Sequence, residues 1–105
     1  MSRASLMKTA TPQLIAEVRM YETASGGRTG PAYSGWRCPC MVSQETPLIG
    51  FDALPLIGGE PLLPGETRSL GFVFLLPEEA VPAIRMAGRF FLWEGRFVAE
   101  AIVRS

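Results

Sequence analysis

Leu70, Phe72, Phe74 and Leu76 occupy every second position of the chain, with Ser69, Gly71, Val73 and Leu75 between them. A repeat of two is the period of a strand, whose successive side chains point to opposite faces, and not that of a helix. The spacing therefore predicts a central strand over residues 68–76, entered through the turn signal Pro64-Gly65. The same alternation sets Leu14, Ala16, Val18 and Met20 against Ile15, Glu17, Arg19 and Tyr21, as expected of a half-buried strand.

Shorter extended stretches follow from the remaining apolar runs. Residues 36–42 and 48–53 read as strands separated by Ser43-Gln44-Glu45-Thr46-Pro47, with Pro39 marking an edge or a bulge because it cannot donate to a ladder. Residues 89–93 and 96–103 flank Glu94-Gly95, a connection short enough for a tight hairpin. Over residues 78–86 Pro82 interrupts the helical pattern, and a loop with a little helix is expected. Residues 1–11 are polar and aperiodic, read as a mobile tail closed by Pro12, so a single domain over residues 12–105 is expected.

About six short strands and frequent Gly and Pro punctuation, without a sustained helical period, point to an all-β domain, either a closed barrel or a sandwich. A barrel removes unpaired edges, which in so small a chain would otherwise template pairing with other molecules. At 105 residues, 48% of them hydrophobic, the chain suffices for one core that removes roughly 60–70% of its unfolded surface from water. Ten basic and ten acidic residues cancel, and Lys8 is the sole lysine, so no general field draws in nucleic acid or anionic lipid. No apolar run approaches the roughly 20 residues that span a bilayer, and residues 1–12 lack the apolar middle of a secretory signal. A soluble, cytoplasmic protein is expected.

The run SGGRTGPAYSGWRCPC, residues 25–40, invites three chemical readings. A phosphate cradle would need glycines at nucleotide-loop spacing leading from a strand into a helix, and GGRTG has neither feature. A structural zinc usually takes four ligands, whereas the chain has two cysteines and no histidine. Cys38 and Cys40, two apart on a strand, lie near the upper limit for a disulfide and read as small buried hydrophobes on one face. Without histidine, and with its lysine in the tail, the chain offers no partner to activate a serine or threonine, and Glu78-Glu79 reads as a solvated pair. No catalytic residue, cofactor, nucleotide or metal site is expected, so the chain is read as a non-enzyme.

QLIAEVRMYETASGGRTGPAYSGWR at residues 13–37, PGE at 64–66 and RFFLWEGRFVAEAIV at 89–103 resemble the third, C-terminal β-barrel domain of elongation factor Tu. That family pattern runs from an acidic-Val strand through a Gly-Gly-Arg loop, an aromatic-Arg strand start and a Pro-Gly-acidic turn to an Arg-Phe hairpin ending in Glu-Gly. Glu17-Val18, Gly26-Gly27-Arg28, Trp36-Arg37, Pro64-Gly65-Glu66, Arg89-Phe90 and Glu94-Gly95 fall in the same order. The resemblance implies a six-stranded antiparallel barrel without catalytic activity, because the factor's GTP chemistry lies in another domain. It also implies that Gly26, Gly27, Arg28, Thr29 and Arg37 form a loop for RNA or partner contact, with the Arg28 fork suited to phosphate.

Three positions depart from that pattern. The family's histidine after Gly-Gly-Arg is Thr29, the Arg-Pro-Gln-Phe run is Arg37-Cys38-Pro39-Cys40, and the closing Val-Gly-Ala-Gly is Val98-Ala99-Glu100-Ala101. A glutamate on a phosphate track is repulsive. Phe91 and Trp93 stand where the family has small or charged residues, and with Phe97 they are expected to form an outward aromatic patch that either docks a partner or is covered by the 77–86 loop or the N-terminal tail. Two functions follow as expectations: a module binding a protein partner or itself through Phe91, Trp93 and Phe97, or a translation-related accessory holding RNA phosphates through Arg28 and Arg37, with Arg19 or Arg96.

Overall fold

The computed structural model describes residues 11–105 as a closed antiparallel β-barrel. Its strands are β1 (Leu14–Met20), β2 (Cys38–Met41), β3 (Gly50–Leu56), β4 (Thr67–Phe74), β5 (Arg89–Trp93) and β6 (Phe97–Val103), with one helix, α1 (Pro77–Ala87), between β4 and β5. Around the barrel the order is β1-β4-β3-β2-β5-β6, and β6 returns to β1. The expected all-β, six-stranded architecture is therefore present. Apart from Thr11, the expected tail falls outside the described residues.

Alternation fills the interior. Leu14, Ala16, Val18 and Met20 from β1 share one core with Leu70, Phe72 and Phe74 from β4, Phe90 and Leu92 from β5, and Val98 and Ala101 from β6. Phe72 lies edge-on to Phe90 at 5.2 Å between ring centres and stacks on Phe74 at 6.2 Å. No polar or charged residue among those described is buried. No helix among the described residues is long and apolar enough to cross a membrane.

β3 runs to Leu56, past the expected end at residue 53, and includes Pro55. Pro55 pairs with Phe72, and its missing donor points toward β2, whose ladder with β3 has already ended at Cys38↔Ala53. Pro39 is accommodated alike. Its nitrogen points toward β5, but the β2–β5 ladder holds only Cys40↔Leu92 and Met41↔Phe91.

Two expectations fail at the end of β4. The strand stops at Phe74, not residue 76, and Leu76, expected to face inward, is 55% exposed. After the Leu75 N–H donates to the Asp52 carbonyl at 3.0 Å, the chain leaves the barrel. It then forms a full 11-residue helix in place of the expected loop with a little helix. Pro77 suits the first helical position because its nitrogen would have no partner there. Pro82 removes only the bond to the Glu78 carbonyl, and both residues are exposed, so water can serve that oxygen. Ala80 and Ile84, four apart, bury one stripe in the barrel core, and Gly88 caps the helix at φ 77°.

The Pro64-Gly65 turn forms as expected, with Gly65 at φ 81° and the Glu66 N–H donating to the Leu63 carbonyl. Glu66 accepts from the Leu63 N–H at 2.9 Å and from Arg68 Nε at 2.8 Å. Those bonds, the backbone one foremost, hold its carboxyl below the usual range. The stabilisation is thus present above the unfolded carboxyl value near 4.3 and fades as pH falls through the lower folded value. Denaturant titrations of the parent and Glu66→Gln should differ most near neutrality and converge in acid, once the carboxyl is protonated in the folded state as well. A difference independent of pH would contradict this. Phe72→Ala, at the centre of the core, should cost about 3–5 kcal/mol in the same measurement.

Candidate functional site

The glycine-arginine loop turns on one 3-10 turn, Thr23–Ser25, followed by Gly26 at φ 95°. Gly27 is required by space, since a Cβ there would fall on the Tyr21 carbonyl. The loop is clasped to the β5–β6 turn by two arginines. Arg96 donates from Nε to the Gly26 carbonyl at 2.8 Å and from a terminal nitrogen to that of Gly27 at 3.0 Å. Arg28 donates to the carbonyls of Gly30 and Pro31 and pairs with Glu94 at 2.5 Å.

Trp36 completes the clasp. Its ring lies 4.9 Å from the Arg28 guanidinium, and its indole N–H donates to the same Glu94 oxygen at 2.8 Å. The Arg28 side chain is 19% exposed and its fork is committed to partners within the chain. Thr29 is exposed beside it, and Arg37 lies apart, pairing with Asp52 at 2.6 Å. The loop residues singled out in the sequence are therefore brought together with Glu94 and Arg96, and not with Arg37.

Cys38 and Cys40 are free thiols facing the core from β2. Burial, and then the neighbouring Cys38, push the Cys40 thiol well above its ordinary value, which keeps it protonated and inert as a nucleophile. Among the described residues no cluster of three or more potential metal ligands occurs.

Phe91, Trp93 and Phe97 do meet on the outer surface of the final hairpin. Phe97 stands edge-on to Phe91 at 5.9 Å and to Trp93 at 4.9 Å. The rings cover one another, Arg89 lies over Phe91, and all three are half-buried. Met41, opposite Phe91 in register, is buried against Gly50.

More open apolar surface lies where the alternation of β4 breaks. Leu75 is 68% and Leu76 55% exposed, and Ile49, just ahead of β3, is 56% exposed. Two adjoining depressions of about 310 and 260 Å³ meet there, sharing Asp52 and Leu75. The first is floored by Leu54 and Val73, and the Arg37–Asp52 pair stands at its rim. The second runs past Phe51 and Leu76 to Glu79 in the first turn of α1. The period-two reading missed this groove by placing Leu76 inside. The signal that could have found it is Pro77, which offers a helix start directly after two leucines.

A third surface is charged. Glu100 on β6 accepts from Arg19 at 2.6 Å and Arg89 at 3.2 Å, and Arg104 pairs with Glu17. Partial burial, then the adjacent Glu100 carboxylate, raise the Tyr21 hydroxyl. These exposed pairs neutralise most of the charge on that face.

No family model and no curated protein matches the chain.

If the clasp is structural, Arg28→Ala should lower stability by about 1–2 kcal/mol, and Arg28→Lys should not restore it because an ammonium lacks the planar fork. Most of that loss should persist in a Glu94→Gln background, since Glu94 is 43% exposed and screened. Unchanged unfolding of Arg28→Ala would mean that the guanidinium contributes nothing to the fold.

Proposed function

We propose that this chain is a non-catalytic, cytoplasmic β-barrel interaction module that docks another polypeptide, a different protein or a second copy, through the groove beside Leu75 and Leu76. The observation that carries this reading is the exposure of those two leucines beside two adjoining depressions, of which the first is mainly apolar. Exposed contiguous apolar surface costs solubility, and its usual compensation is a partner. Among the described residues the charges lining the first depression are Arg37 and Asp52, which bind each other and leave nothing poised for chemistry.

The likeness in motif order to the third domain of elongation factor Tu supports recognition over reaction, since that domain serves its factor as a contact surface. RNA contact through the Gly26-Gly27-Arg28 loop is the weaker reading. It would require the Arg28 guanidinium to leave Glu94, Trp36 and two carbonyls. The half-buried cluster of Phe91, Trp93 and Phe97 is a second, smaller apolar surface for the same class of function.

Affinity capture on the tagged chain, with and without nuclease, tests the reading. A captured protein should survive nuclease and be lost with Leu75→Ser/Leu76→Ser, while Phe91→Ser/Trp93→Ser retains it. Capture abolished by nuclease would favour RNA, and loss confined to the aromatic variant would move the interface to the hairpin.

A further inference from the structure

The groove has a charge asymmetry that restricts its occupant. Arg37 is neutralised by Asp52, whereas Glu78 and Glu79 have no ion-pair partner among the described residues. Glu79 lines the second depression beside Leu76, and Glu78 is exposed next to it. The helix N-terminus makes those carboxylates comfortable without supplying a discrete countercharge. The apolar floor of Leu54, Val73 and Leu75 is therefore continuous with a negative end. A partner that brings acidic residues to this place is repelled, and one that brings a cation is steered in and held in register.

Resting on the docking reading above, we propose that the groove takes an apolar segment of a different protein flanked by lysine or arginine. Its aliphatic side chains fill the first depression and pack over Leu75, and its cation meets Glu79 in the second. The two adjoining depressions, each of a few hundred Å³ and the second partly polar, suit one continuous segment carrying both aliphatic and cationic side chains better than a flat protein face.

Two synthetic nine-residue peptides with the same four leucines, one flanked by lysines and one by glutamates, serve as probes. Fluorescence anisotropy with the full chain should show the lysine peptide binding at least ~10-fold more tightly than the glutamate peptide at low salt. Leu75→Ser/Leu76→Ser should weaken the lysine peptide by at least ~10-fold. Glu79→Gln, a surface change that leaves the fold intact, should weaken it about 3-fold and flatten its salt dependence.

Equal binding of both peptides, lost in the leucine variant and indifferent to Glu79→Gln, overturns the basic partner but leaves the docking groove standing. Binding indifferent to the leucine variant overturns both. A concentration-dependent dimer in sedimentation, abolished by Leu75→Ser/Leu76→Ser, assigns the groove to a second copy and overturns the proposal. A Leu6→Ser/Lys8→Ser variant that binds the lysine peptide about 10-fold more tightly than the parent assigns it to the chain's own first residues, with the same consequence.

Discussion

The structure depends on β1 being paired along both of its edges. Leu14 to Arg19 run against β4, Ala16 to Met20 run against β6, and through this one strand the sheet closes on itself. Met20 donates to the Glu66 carbonyl on one side, and the next residue, Tyr21, to that of Val98 on the other. Closure removes the open edges that would leave backbone groups unpaired, and it forces every inward side chain into one shared interior. That interior is small enough that Phe72 on β4 reaches Phe90 on β5 across it.

Closing the barrel leaves long excursions at its ends, and arginine satisfies them. Arg28 serves two main-chain carbonyls, Arg96 two, and Arg68 those of Ile57, Glu60 and Pro61, so each fork holds a segment that no strand can reach. A guanidinium suits this because its donors lie in one rigid plane, whereas an ammonium presents a single point. The run of glycines near the start of the chain is the receiving half of such a clasp. Its bare carbonyls accept Arg96, and the close approach at Gly27 brings it within reach. Residues that suggest phosphate binding in the sequence thus serve the molecule's own backbone.

Much of the barrel was legible because burial on one face imposes a period of two. β1, β5 and β6 lie within one residue of their expected limits, and Cys38 and Cys40 face inward as small apolar groups. What the alternation could not report is where a ladder runs out. Pro55 lies in β3, past the expected end, because the neighbouring strand has stopped, and Pro82 lies in a helix because its missing bond falls on a solvent-facing carbonyl. Leu76 continues the pattern in sequence but not in space, since Pro77 begins a helix and carries the chain off the sheet. The groove arises at that break. The pairing of Arg28 with Glu94 spans 66 positions and had no local signature, although Phe91, Trp93 and Phe97 could be brought together by hairpin register alone.

Amide hydrogen exchange resolved by residue tests the closure of the barrel through β1 most directly. If β1 is paired on both sides, the amides of Met20, bonded to Glu66, and Tyr21, bonded to Val98, exchange as slowly as Phe72 in β4, at the rate set by global unfolding. Exchange of the β1 amides at the rate of the exposed 44–48 loop, while β4 stays protected, would mean an open sheet and would contradict the account.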